Sequence, residues 1–216
     1  MQALVISPYE GSKVLEAASI LAHVCIEALK KESFEVDSLE GRDARRKNLP
    51  KNKKYDLILF CGHGKERALI GSDGRAIFDD DNIDYANGSV FIAIACESGN
   101  WLALSAASRG ARAYFGFRYL VSLPQSSESH AYLSDFVRTL SVPLLSLLEG
   151  YTIHQAWESF QTLCREYAAE YENNRYDNFA EVMAAWMRHN ANSATYQGAP
   201  NATLGEETFV IKGYEI

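Results

Sequence analysis

The sequence predicts an α/β protein: a mostly parallel central sheet with helices on both faces, a three-layer sandwich, and a small β-hairpin flap beside it. Three observations predict it. Short apolar runs alternate along the chain with segments whose apolar residues recur at helical spacing. The two runs YDLILFCG (55–62) and SVFIAIA (89–95) are almost wholly apolar, as strands covered on both faces are. Finally, 216 residues at 47% hydrophobic and 23% charged are enough for one well-buried core, so a single domain over residues 1–216 is expected.

The elements follow in order. QALVIS (2–7) is a short buried strand, and from 12 to about 31 Val14, Leu15, Ala18, Leu21, Ala22, Cys25, Ile26 and Leu29 share one helical face. FEVDSL (34–39) reads as a second strand, and the basic, polar stretch 41–54 as a surface connection. YDLILFCG is the third strand. ALIGSDGRAIF then reads as a hairpin turning at 72–74, the flap. SVFIAIA is the fourth main strand, 100–109 a helix and ARAYFGF (111–117) the fifth strand. Helical spacing returns over about 127–140, 152–171 and 179–190, ETFVIKGY (207–214) is read as a closing strand, and 192–203 as a loose loop.

Composition narrows the function. A formal charge of -7, with the basic residues not gathered into a stripe, excludes nucleic acid as an expected partner. No apolar run approaches the roughly 20 residues of a membrane span, and the first 30 residues lack the basic start and cleavage site of a secretory signal, so no membrane association and a cytoplasmic location are expected. Cys25, Cys61, Cys96 and Cys164 never form CxxC, which argues against a zinc site or a disulfide framework; a cysteine that matters here acts as a thiol. No cofactor or metal is expected. Three successive carboxylates in FDDDNID (Asp79, Asp80 and Asp81, with Asp84 beyond) read as a solvated loop, with calcium or a basic substrate segment as the other readings. No GxGxxG or Walker loop follows any strand, which weighs against a nucleotide-binding domain, and no GxSxG surrounds QSSES (125–129).

Two segments carry chemistry. Parallel sheets bind ligands beyond the carboxyl ends of their strands, and both CGHGKE and CESGN lie there. If the third and fourth strands are neighbours, His63 and Cys96 stand side by side. A cysteine at a strand end, shortly before a helix start, lies near a positive dipole end that favours thiolate. A neighbouring imidazole orients the thiol and protonates a leaving amine. Gly64, with no side chain, lets its N–H approach a carbonyl oxygen, and with the Cys96 N–H it makes an oxyanion hole. Taken alone, a histidine at a strand end that bonds loop backbone, or a cysteine that fills a core, is commoner; the pairing, with Gly64 and Gly99 beside it, favours a catalytic dyad. Cys25 and Cys164 fall on apolar helix faces, and Cys61 points to a sheet face. His23, His130, His154 and His189 read as solvated or packing residues.

A strand ending in His-Gly, a flap, then an apolar strand ending in Ala-Cys-x-Ser-Gly resembles the caspase-like (clan CD) cysteine peptidases. Within them YDLILFCGHG, VFIAIACESG and GARAYFGFRYLVSLPQSSESHAYLSDFVRTL are most similar to bacterial CHAT-domain proteases. The resemblance implies a caspase-like sandwich, His63 and Cys96 as the dyad, Gly64 and Cys96 as backbone oxyanion donors, and no obligatory third catalytic residue. It also implies a cysteine endopeptidase that cuts a specific protein partner, in bacterial defence against viruses or in cell death; a gasdermin-like pore-forming protein or a signalling partner is the kind of substrate expected. An inactive interaction module of the same fold is the alternative. The sequence departs from the families at informative positions. It lacks the caspase Gln-Ala-Cys-x-Gly, and Ile94 stands where metacaspases carry the aspartate that receives a basic residue before the scissile bond. Arg118 lies where caspases place an arginine that reads an acidic one, or is a surface arginine beside tyrosines. Of Tyr114, Phe115, Phe117 and Tyr119, alternating as in a strand, some rings belong to the core and others to a peptide groove. Ile94, Phe117 and Arg118 are therefore the candidate substrate contacts.

Overall fold

A computed structural model describes residues 1–9, 13–124, 132–173 and 179–205. Its organising unit is a six-stranded sheet in the order β2-β1-β3-β7-β8-β9. The strands are β1 (Gln2–Ser7), β2 (Glu35–Glu40), β3 (Leu57–Cys61), β7 (Val90–Ile94), β8 (Ala113–Phe117) and β9 (Ala194–Gly198). All pairs are parallel except β8–β9. Every residue of β3, β7 and β8 is buried, which is why those segments show no polar alternation. At the β2 edge no residue is fully buried, and its composition is accordingly mixed.

The chain leaves β1 through helix α1 (Lys13–Lys31), adds β2 on one side, then crosses back to place β3 on the other side of β1. The sheet therefore has its switch point between β1 and β3, where the loops diverge and leave a crevice. The return passes through two 3-10 turns, Gly41–Asp43 and Arg46–Asn48, in the stretch read as a surface connection.

The two faces are covered unequally. One carries α1, α3 (Leu133–Leu148), α4 (Ile153–Asn173) and α5 (Ala180–Ser193), packed on Val5, Leu59, Cys61, Ile92, Ile94, Phe115 and Phe117. Phe115, Phe117 and Phe160 meet edge to face at 5.7–5.8 Å there. The other face packs Ile58, Phe60, Phe91, Ala93 and Tyr114 against α2 (Trp101–Ser108) and a three-stranded sheet of β4 (Gly64–Lys65), β5 (Ala68–Ile70) and β6 (Ala76–Asp79). Helices thus lie on both faces as expected, with a single short α-helix on the second among the described residues. The flap is the expected hairpin extended by one strand, β4, that begins inside CGHGKE itself.

Other differences have local causes. The stretch 192–203 read as a loose loop contains β9: only five residues long, mixed in polarity and ending in glycine, ATYQG lacks a strand signature, and its pairing with β8 supplies the order. Helix α3 continues past 140 through Pro143, because Leu140, Leu144 and Leu147 keep burying the same stripe. The closing strand read at 207–214, the segment QSSES, His130 and the start of the helix read from 127 lie outside the described residues.

Candidate active site

Strand β3 delivers its successors to the carboxyl edge in register with β7. Cys61 pairs with Ile94, and the Gly62 N–H donates to the Ile94 carbonyl at 3.1 Å. Two residues further along each chain come His63 and Cys96. Cys61 and Ile94 both face the four-helix side; beyond them each chain leaves its strand, with Gly62 and Ala95 in bends and Cys96 in a turn. The pairing of β7 with β8 continues the row, since the Glu97 N–H donates to the Tyr119 carbonyl at 3.0 Å.

His63 is exposed. Its carbonyl accepts the Ile70 N–H at 3.0 Å, which makes that pair the hydrogen-bonded one and leaves the Gly64–Leu69 pair non-bonded, so the Gly64 N–H turns away from β5. A side chain at Gly64 would run into the Cys96 carbonyl oxygen and lie 2.9 Å from Ala95 Cβ. The flap backbone therefore rests on the backbone of the cysteine. Its far side is tied down as well: the Leu102 N–H donates to the Glu66 carbonyl at 3.0 Å, and the Arg67 guanidinium lies 4.2 Å from the Trp101 ring centre, with the indole N–H on Asp80 at 2.9 Å.

On the cysteine side the chain turns sharply. Glu97 takes a left-handed conformation (φ 57°), rare for a residue with a side chain and found where a turn is held from several directions. The restraints are visible. Buried Ser98 donates its hydroxyl to the Ala95 carbonyl at 2.8 Å, and the Gly99 N–H donates to the Phe117 carbonyl at 2.8 Å. A side chain at Gly99 would stand 2.8 Å from Phe117 N, and one at Gly116 2.9 Å from Gly99 N, so both glycines are needed for the turn to lie against β8. The Cys96 N–H has no acceptor among the described residues. The residue is partly exposed, and its sulfur accepts the Val121 N–H at 3.3 Å.

The remaining cysteines are electrostatically different. Burial pushes the Cys25 and Cys164 thiols up to about 12 and raises Cys61 well above the usual thiol value, so all three stay protonated and inaccessible.

The candidate substrate contacts separate. Ile94 and Phe117 are 4% and 0% exposed, inside the four-helix core, where they support the site from beneath and offer no surface to a ligand. Arg118 is exposed; its N–H bonds the Ser193 carbonyl at 2.8 Å and its guanidinium the Thr195 hydroxyl at 3.3 Å. Of the aromatic run, Tyr114, Phe115 and Phe117 are all core, and only Tyr119 reaches the surface, at 62%, followed by Leu120 at 64%. Leu120 was not singled out by sequence; the only signal was a large apolar residue after the predicted end of a strand. In the acidic segment, Asp79 pairs with Arg46, and Asp80 with Trp101 and Arg67. Among the described residues no group of three His, Cys, Asp or Glu side chains is placed to hold a metal ion, and no helix is long and apolar enough to cross a membrane.

No protein-family model and no curated protein sequence matches the chain. Solved structures do. The crystal structure of gingipain R, an Arg-specific cysteine proteinase, superposes with a TM-score of 0.62 over 94% of this chain at 16% identity. The complex of the pro- and mature domains of the Porphyromonas gingivalis enzyme gives 0.57 over 94%, also at 16% identity. This chain spans about half of those chains, 47% and 48%. At such identity the likeness is one of fold, and the fold is the caspase-like one that the motifs implied.

Proposed function

We propose that the protein is a cysteine endopeptidase in which Cys96 is the nucleophile and His63 its acid–base partner. The observation that carries this reading is the parallel pairing of β3 with β7: its register brings the His-Gly and Ala-Cys-x-Ser-Gly segments to one level of the carboxyl edge, on a fold shared with a cysteine proteinase. In the reaction His63 takes the thiol proton as Cys96 Sγ attacks the scissile carbonyl carbon. The resulting oxyanion receives the N–H groups of Gly64 and Cys96, neither engaged by the neighbouring backbone, and each such donor contributes about 3 kcal/mol in the transition state. Collapse breaks the C–N bond, and the His63 imidazolium protonates the departing amine. Water then attacks the thioester, giving its proton to His63; the acid leaves and the thiol is restored.

The proposal extends to a bacterial CHAT-type protease acting in the cytoplasm on a specific protein partner. The partner would be a gasdermin-like pore-forming protein or a signalling protein, in antiviral defence or cell death. Its support is the run of similar segments from YDLILFCGHG to the helix after β8. With Ile94 buried and uncharged there is no acid two residues before the cysteine to receive a basic side chain, so the proposal does not extend to the Arg specificity of gingipain R.

The test is a proteome-wide comparison of new N-termini produced by the parent protein, Cys96→Ala and His63→Ala. Cleavages present with the parent and absent from both variants are expected, and they identify the substrate and the residue before the scissile bond together. A Cys96→Ala protein that makes the same cuts refutes Cys96 as the nucleophile, and a parent that makes none returns the chain to the reading of an inactive interaction module.

A further inference from the structure

The segment after β8 is zipped onto the last turns of α5. The Arg118 N–H donates to the Ser193 carbonyl at 2.8 Å, the Tyr119 N–H to the Ser193 hydroxyl at 2.9 Å, and His189 Nε2 lies 2.8 Å from the Leu120 carbonyl oxygen. At the end of this zip, Asn190 holds Ser122 at two points: its Oδ1 accepts the Ser122 N–H and its Nδ2 donates to the Ser122 carbonyl, both at 2.9 Å. Asn190 is 0% exposed, on a buried helix face it shares with Met183, Ala184, Met187, Ala191 and Ser193. A carboxamide there is costly unless its hydrogen bonds are made, and one residue's backbone satisfies it at both ends. The residue before Ser122 is Val121, whose N–H points at Cys96 Sγ.

We propose that Asn190 is a positioning residue for Cys96: by clasping Ser122 it holds the Val121 N–H on the sulfur and so favours the thiolate. Two hydrogen bonds to the residue after Val121 pin that end of the segment, His189 Nε2 meets the carbonyl of the Leu120–Val121 peptide unit itself, and a fixed N–H donor stabilises an anionic acceptor more than a neutral one. The inference rests on Cys96 being the nucleophile proposed above. The charged and titratable groups on the elements around Cys96 are His63, Lys65, Glu66, Arg67, Asp73, Arg75 and Asp79 in the flap, Glu97, Arg118 and Tyr119 beside the turn, and Glu181, Arg188 and His189 on α5. Substituting Asn190 removes none of them.

The experiment is the pH dependence of Cys96 alkylation by iodoacetamide, read by mass spectrometry on the parent, Asn190→Ala and Asn190→Leu. The leucine variant keeps the volume without hydrogen-bonding groups. In this reaction the thiolate displaces iodide and forms a thioether, so the profile reports the thiolate directly. The midpoint is expected to rise by about one pH unit in both variants, with alkylation at neutral pH falling about tenfold. The three buried cysteines stay unlabelled while the fold is intact. Should Asn190→Ala expose them, Asn190→Leu decides alone. A folded variant whose midpoint equals the parent's overturns the inference. Peptide cleavage is read separately: a parent that cleaves nothing overturns the protease assignment, and the alkylation shift still decides the role of Asn190.

Discussion

Gly64→Ala separates the oxyanion hole from the nucleophile. The added methyl would stand 2.9 Å from Ala95 Cβ and 3.3 Å from Cys96 N, and closer still to the Cys96 carbonyl oxygen. All three contacts are tighter than ordinary packing, so one backbone must retreat. The cysteine turn is bolted to β8 and the residues after it: the Gly99 N–H donates to the Phe117 carbonyl, the Glu97 N–H to the Tyr119 carbonyl, and the Ser98 hydroxyl accepts the Phe117 N–H. The flap strand β4, two residues long, is the weaker partner and moves, taking the Gly64 N–H with it. Losing that donor removes about 3 kcal/mol of transition-state stabilisation, a fall of roughly 10²–10³ in kcat. Overpacking costs a further 1–3 kcal/mol of stability by order of magnitude, about 2–12 °C in Tm for a chain of this size. Two assays are needed. Hydrolysis of a peptide carrying the mapped cleavage site reads acyl transfer, while iodoacetamide alkylation of Cys96 is a displacement that develops no oxyanion. Hydrolysis is expected to collapse while alkylation keeps the parent's rate. A variant that hydrolyses the peptide as fast as the parent, or one whose alkylation falls in step with hydrolysis, refutes the assignment of Gly64 as an oxyanion donor.

Two further outcomes follow from the electrostatics. At pH 8 a thiol pushed to about 12 is ionised in roughly one molecule in ten thousand, so peptide mapping after brief iodoacetamide treatment should find Cys96 labelled and Cys25, Cys61 and Cys164 unlabelled until denaturant is added. Lys53 and the Tyr55 hydroxyl hold the Asp37 carboxyl below its usual range. Its contribution is therefore present above the unfolded carboxylate value of about 3.9 and is lost as pH falls through the lower folded value. Asp37→Asn should melt below the parent at pH 7, and the gap should narrow as pH falls below the unfolded carboxylate value of about 3.9; a gap independent of pH would show that the ion pair is not its source.

The legibility of this chain follows the range of the interactions involved. LILFC and VFIAI declare buried parallel strands because their solvent exclusion is a property of each residue, and HG and ACESG declare a carboxyl-edge site because strand ends are marked by the end of the apolar run. ATYQG did not declare itself: β9 exists because β8 offers it an edge, 77 residues away between Arg118 and Thr195. The helix read to about 140 runs on to Leu148, because packing of Leu140, Leu144 and Leu147 outweighs the one backbone hydrogen bond that Pro143 removes. Ile94 and Phe117 held positions that a motif comparison assigns to substrate contact. Their side chains face the four-helix core because strand parity, fixed only once the sheet is assembled, directs them inward.

By itself the sequence determined the fold class and the two loops that carry the candidate dyad, because hydrophobic periodicity and a short motif are both local. Only the tertiary structure decided that the flap backbone lies on the cysteine backbone, that Gly99 and Gly116 must both be bare, and that Asn190 on a distant helix clasps Ser122, the residue after the one whose N–H meets the sulfur. Those are contacts between segments dozens of residues apart, set by the order and register of strands, and no single stretch of chain encodes them.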